Sequence, residues 1–251
     1  MARLPATSPS GTAGERAQAL PATTRAAARA PRDGAGRTTT RSRPRQRSRP
    51  RREQVLDGAG QLFAEYGYYG ASLRHIAREV GLSHPGMLHH FATKDDLLSA
   101  VIDRLEAHAQ DALDRLDELC AEPDALLQAL SEVWHPGSPV IRLLARLDAD
   151  VVSADHAGKF RIARLHRVHE NLLERCFTAL SEQGLLREGT DPVFAGRAML
   201  ALILSHAARE RTVRAMQNSG HEDSPVEDLH RLARLFLNPA AVAAPAAARS
   251  A

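Results

Sequence analysis

Histidine is the residue of this chain best equipped for chemistry, and twelve of them are present. Four of these, His75, His84, His89 and His90, crowd into one short stretch, which raises the question of a metal centre. A structural zinc site needs Cys or His ligands at paired short spacings, and no Cys stands near them. A second constellation is His166, His169 and Glu170. Here His166 and Glu170 share a helix face at i, i+4, but His169 points roughly 60° away at 100° per residue, and no second pair completes a site. A helical-bundle metalloenzyme built on these three is the enzyme alternative. The reading adopted assigns no catalytic residue, no metal ligand and no cofactor. The remaining chemical feature is the run Arg41-Ser-Arg-Pro-Arg-Gln-Arg-Ser-Arg-Pro-Arg-Arg52, broken by Pro44 and Pro50. Proline resists helix, so the run stays extended, either as a solvated tail or as an arm that tracks DNA phosphates.

The elements that must position these residues are helical almost everywhere. Val55, Ala59, Leu62, Phe63 and Tyr66 recur at helical spacing and Gly67 follows as a stop. Ser72 caps a short second helix with the stripe Leu73, Ile76, Ala77 and Val80, closed by Gly81. Ser83 caps a third helix to about His90, with Pro85 tolerated in its first turn. Thr93-Lys-Asp-Asp96 is a capping-box variant that opens a long fourth helix through Leu116. Further helices are expected at about 124–133, 140–153, 159–183, 191–217 and 226–237. The fold class is therefore all-α, with about nine helices and no strand. Four regions follow: an Arg-rich extension over 1–50 without the apolar content to order itself, a three-helix unit over 51–98, a larger helical unit over 99–238, and a tail over 239–251.

Two short helices joined by a tight turn and backed by a first helix have the geometry of a helix-turn-helix. The residues go further. Leu-Phe-Ala-x-x-Gly at 62–67, Ile-Ala-x-x-Val-Gly-Leu-Ser at 76–83 and His-His-Phe-x-x-Lys-x-x-Leu-Leu at 89–98 resemble, in order and spacing, the DNA-binding domain of the TetR family of transcriptional regulators. The resemblance implies that the third helix reads base edges through His84, Pro85, Gly86, Leu88 and His89, with His90 nearer the backbone. Ser72, Leu73, Arg74, Ser83, Thr93 and Lys94 lie at the helix starts, where N–H groups and charge meet phosphates. Where the family usually has Thr or Ser this chain has Gly86, and where it usually has Tyr it has Leu88. No residue of the set offers an arginine fork to guanine, apart from Arg74 on the second helix.

The same resemblance implies a homodimer formed by the last two long helices, and an effector bound within the set of helices four to eight. Ala198-Met-Leu-Ala-Leu-Ile-Leu204 is apolar all round, which asks for burial on more than one side. Met199, Leu202, Ile203, Leu229, Leu232 and Phe236 are assigned to dimerisation. Polar residues on apolar stripes, Trp134, His135, His169 and His206, are the candidate effector contacts, each weighed against plain service in the core. Arg142, Arg146 and Asp150 form an i, i+4, i+8 ladder read as a solvated face. Scarce aromatics favour an aliphatic or acidic effector over a flat cationic one.

Composition bounds all of this. Of 251 residues 43% are hydrophobic, enough for a sizeable core. The net charge of +3 hides a split: residues 1–52 hold 13 arginines against Glu15 and Asp33, a net of +11, leaving a body of −8. An acidic body repels DNA, so contact must be confined to the second and third helices and the start of the fourth, with the arm as the one further candidate. Cys120 and Cys176 staple nothing large, no signal peptide or membrane span is visible, and a reducing, cytoplasmic setting follows. The expected function is a ligand-responsive dimeric repressor on a pseudo-palindromic duplex operator. Its alternatives are an activator or a weakly specific architectural DNA binder.

Overall fold

The computed structural model describes residues 50–152, 156–216 and 224–240. The expected Arg-rich extension and nearly all of the expected tail lie outside the described residues. Among the described residues there are ten helices and no strand: α1 (Arg51–Gly70), α2 (Leu73–Glu79), α3 (His84–His90), α4 (Lys94–Asp114), α5 (Leu116–Leu119), α6 (Pro123–Glu132), α7 (Pro139–Asp150), α8 (Lys159–Glu182), α9 (Pro192–Met216) and α10 (Pro225–Phe236). No helix among them is long and apolar enough to cross a membrane.

Local chemistry accounts for the boundaries. Ser72, Ser83, Thr93 and Ser138 each accept a backbone N–H from three residues on, at 3.0–3.2 Å, which satisfies one orphan donor per helix start. Proline occupies the first turn of α3, α6, α7 and α10, where its missing N–H costs nothing. The expected fourth helix breaks at Arg115 (φ −100°, ψ 11°), and α5 brings Leu116, Leu119 and Cys120 into the core. Gly67 interrupts α1 at φ 73°, ψ 175°. This left-handed value suits glycine alone, and the N–H of the next residue, Tyr68, leaves the helix ladder to bond Asp150 Oδ2 at 2.8 Å.

Two apolar clusters hold the body together. One joins α1–α3 to α4, α7 and the start of α8 through Val55, Phe63, Ile76, Met87, Leu98, Ile102, Leu144 and Ile162. It runs straight across residue 98, where the sequence suggests a division, so the small unit leans on the large one through continuous core. The other cluster spans α5, α6, α8, α9 and α10 around Trp134 and Phe177. Within it Cys120 and Cys176 are joined as a disulfide with Cα atoms 4.6 Å apart. The expectation that they staple nothing large does not include this pairing, which arises because the short α5 delivers Cys120 directly against α8.

The α8–α9 crossing is very close. A Cβ added at Gly196 would lie 2.6 Å from the Glu174 backbone nitrogen, so the absence of a side chain is what lets the axes approach. Arg197 beside it pairs with Glu170 and Glu174 at 3.0 and 3.1 Å. Between α4 and α8, Arg161 bonds Ser99, Asp103 and Glu106, and Arg164 also bonds Glu106. Arg161's hydrogen bond, ahead of an opposing effect of burial, holds the Glu106 carboxyl below its ordinary range.

Candidate nucleic-acid interface

The three-helix unit is built from its turn outwards. Leu82 N–H bonds back to the Ala77 carbonyl at 2.8 Å, and Gly81 takes φ 66° between α2 and α3, the left-handed turn a helix-turn-helix requires. Arg51, a residue the sequence reading did not single out, clamps that turn. Its guanidinium donates to the carbonyls of Val80 and Gly81 at 3.0 and 2.9 Å and to Gln54 Oε1 at 2.7 Å. Arg52 lies 5.0 Å above the Phe91 ring, a cation–π contact that ties the start of α1 to the end of α3. The signal for both was their place in the arginine run, whose last two members prove to be helix α1 rather than extended chain.

The predicted contact residues fall into two groups. Ser72, Arg74, Ser83, Pro85, Leu88, His89 and Thr93 are exposed on α2, α3 and at the helix starts, and His84, Gly86 and His90 are half-buried. Leu73 instead packs, half-buried, on the cluster beneath. Lys94 also turns inwards. Its ammonium donates to the carbonyls of Tyr68 and Ala71 at 3.1 and 3.3 Å and sits 4.2 Å from the Tyr68 ring centroid. In this arrangement Lys94 caps the end of α1 rather than offering its charge to a phosphate. The Tyr68 hydroxyl donates to Asp95, and burial together with that carboxylate pushes the phenol pKa up. At position 86 a Cβ would meet Ser83 Oγ at 3.1 Å, so glycine there leaves the cap of α3 undisturbed.

The start of α4 carries a complete capping box: Asp96 N–H donates to Thr93 Oγ1 and Thr93 N–H to Asp96 Oδ2, both at 3.0 Å. Thr93→Ala is expected to lower stability by about 1 kcal/mol, whereas Thr93→Ser retains most of it. Urea unfolding of the two variants checks this, and equal midpoints for alanine and serine would contradict it.

Behind this face the other predicted residues separate. Trp134 is fully buried, and its Nε1–H donates to His169 Nδ1 at 3.2 Å. His108 on α4 lies 6.1 Å from the His169 ring and was missed, since its own helix stripe gives no hint of what faces it. His135 accepts from Gly137 N–H at 2.9 Å, and His206 faces Asp228 at 3.5 Å, so neither joins the Trp134–His169 pair by these contacts. His166 bonds Asp148 and Glu170 pairs with Arg167 and Arg197, which takes apart the metalloenzyme constellation. Among the described residues no group of three His, Cys, Asp or Glu could hold a metal ion. The Arg146–Asp150 ladder is no mere solvated face: Asp150 accepts from Tyr68 N–H and Arg146 donates to the Tyr66 carbonyl, joining α7 to the end of α1. Of the residues assigned to dimerisation, Met199, Ile203 and Leu229 are fully buried within the protomer, while Leu202, Leu232 and Phe236 are half-buried.

Comparison with known proteins agrees with this geometry. The family model for bacterial regulatory proteins of the TetR family matches residues 55–101. The HTH-type transcriptional repressor Rv1474c of Mycobacterium tuberculosis is 30% identical over 159 residues, 57% of this chain and 85% of that protein. A TetR-family transcriptional regulator from Agrobacterium tumefaciens superposes with a TM-score of 0.61 at 16% identity, over 75% of this chain and 98% of that one. AibR, solved in complex with isovaleryl coenzyme A and operator DNA, superposes at 0.56 with 19% identity, over 74% of this chain and 98% of that one. With a helix-turn-helix held by Arg51 and the Thr93 cap, and with a relative matched over most of its length, this chain belongs to the TetR family and is a helix-turn-helix transcriptional regulator.

Proposed function

We propose that the protein is a homodimeric, effector-responsive repressor that binds a pseudo-palindromic operator and acts in the cytoplasm, without catalysis or a bound cofactor. The observation that carries the dimer is the outward stripe of α9. Phe194, Ala198, Ala201, Leu202 and Ser205 follow one another at helical spacing, and all are at least partly exposed. Small residues in such a stripe let a second helix approach closely, and Phe194 extends the patch to the Phe236 ring of α10, 6.5 Å away. A two-fold dimer then presents two α3 helices to two half-sites about one helical turn, roughly 34 Å, apart. Effector response is supported by the neighbour solved with both isovaleryl coenzyme A and operator DNA. The sign of control depends on where the operator lies relative to a promoter, so activation by the same complex is the variant of this reading.

Selection of bound duplexes from a random library tests it. The expected product is an inverted repeat with half-site centres separated by one turn or a multiple of it. A second reading, weakly specific architectural binding, is favoured by one feature: the exposed side of α3 carries Pro85, Leu88 and His89 and no Arg, Asn or Gln. Under that reading the ratio of selected to random affinity at physiological salt stays near one instead of reaching about 10³ or more.

A further inference from the structure

A cavity of about 340 Å³ opens where α1, α4 and α7 meet. Its wall is aliphatic, formed by Leu56, Val101, Leu105, Val140 and Leu143, and Gly60 leaves one side without a side chain. The polar atoms converge at one end, where Asp57, Gln61 and Arg104 line the space. Arg104 is already bound there to Asp57 at 2.8 Å and to Glu53. Of its five N–H groups these bonds use two, one on each terminal nitrogen. The size and the mix of apolar wall with a few convergent polar groups are those of a small-molecule site.

We infer that this cavity is an effector site for an uncharged aliphatic molecule with a single hydrogen-bonding head, such as an amide, alcohol or lactone. The wall selects an aliphatic body, since no aromatic ring lines it. The head is uncharged because the ions at the polar end are already paired with each other. A carboxylate would have to sit beside Asp57 and Glu53, and an ammonium beside Arg104, and an ion brought in without its own partner pays desolvation that this end does not return. An amide suits it: the carbonyl accepts from a remaining Arg104 N–H and the NH₂ donates to Asp57 or to the Gln61 carbonyl oxygen. The position gives occupancy a consequence. α1 belongs to the DNA-binding unit, α7 to the larger unit, and α4 runs from the Thr93 cap into the body, so a molecule between them shifts α1 against α7 and lowers operator affinity. That last step rests on the regulator reading above.

Hexanamide, hexanoate and hexylammonium are the probes, read by ligand-detected NMR on the full chain and by competition with a selected operator duplex. Hexanamide is expected to bind with a dissociation constant on the order of 1 mM or lower and the two ions at least ~10-fold more weakly. Gly60→Leu fills the space, since the nearest atom to a Cβ there, on Leu143, is an ordinary 3.7 Å away. It is expected to abolish hexanamide binding and with it any effect of hexanamide on operator affinity, and Gln61→Ala at the polar end to weaken the binding. Equal binding to wild type and Gly60→Leu, preference for either ion, or no hexanamide binding by a chain that binds DNA would each overturn the site. A chain that binds hexanamide in the Gly60-dependent way yet selects no duplex would overturn the regulator reading and leave the site standing.

Discussion

Phe194→Glu with Leu235→Glu is expected to give a folded monomer whose affinity for the selected operator is about 1,000-fold below that of the wild type, because the second half-site no longer binds intramolecularly. Both side chains are more than three-fifths exposed in the protomer, at 62% and 63%, so within one chain the substitutions remove little packing. Phe194 stands in the first turn of α9, where an acidic residue also suits the helix dipole. In a two-fold dimer the same positions come from both chains, and glutamates there lose hydration on burial while the aromatic anchor is lost. Sedimentation at micromolar concentration reads the assembly and a duplex titration reads the affinity. A variant that still sediments as a dimer would remove these helices from the interface. The single variant Met199→Ala serves as the contrast. Met199 is fully buried in the protomer, so its loss is expected to lower stability by about 2–5 kcal/mol with little effect on the dimer.

That contrast marks what periodicity could and could not say. Cap residues were legible because a cap depends on three or four neighbours in the chain: Ser72, Ser83 and Thr93 each do in space what their spacing announces. The stretch 198–204 was legible as buried but not as to which face goes where. A helix apolar on every side carries no preference, and packing against α8 turns Met199 and Ile203 inwards while Ala201 faces out. Contacts between distant residues left no local trace. The disulfide joins positions 56 apart in sequence, Arg161 reaches more than fifty residues back to α4, and the Lys94 ammonium reaches more than twenty residues back to the carbonyls of Tyr68 and Ala71. The turn into α3 and its cap were the most legible part, since motif and cap are contiguous. The cavity between α1, α4 and α7 was the least, being assembled from three separate helices.

Acid is expected to destabilise the protein through His169, by roughly 3 kcal/mol between pH 6.5 and 4. Burial, and secondarily the neighbouring imidazoles of His108 and His166, push the His169 pKa down to about 4. The geometry gives the same sense. His169 is 1% exposed, and its Nδ1 accepts the Trp134 indole N–H, so a proton on that nitrogen would set two donors against each other at the centre of the cluster. In the unfolded chain the imidazole takes up its proton near pH 6.5. The folded state refuses it until about pH 4. Across that interval the unfolded state binds more protons, and stability therefore falls as pH falls, at up to about 1.4 kcal/mol per unit. His108 and His156 are also lowered by burial and act in the same direction. His166 opposes them, because its hydrogen bond to Asp148, stronger than the effect of burial, raises its pKa. Comparison with His169→Asn separates the one contribution from the rest: an asparagine Oδ1 can accept the indole N–H where Nδ1 does, and it does not titrate. Urea unfolding at half-unit intervals should show the wild-type curve falling towards that of the variant below pH 6.5, and two parallel curves would show that His169 is already protonated, or unprotected, in the folded protein.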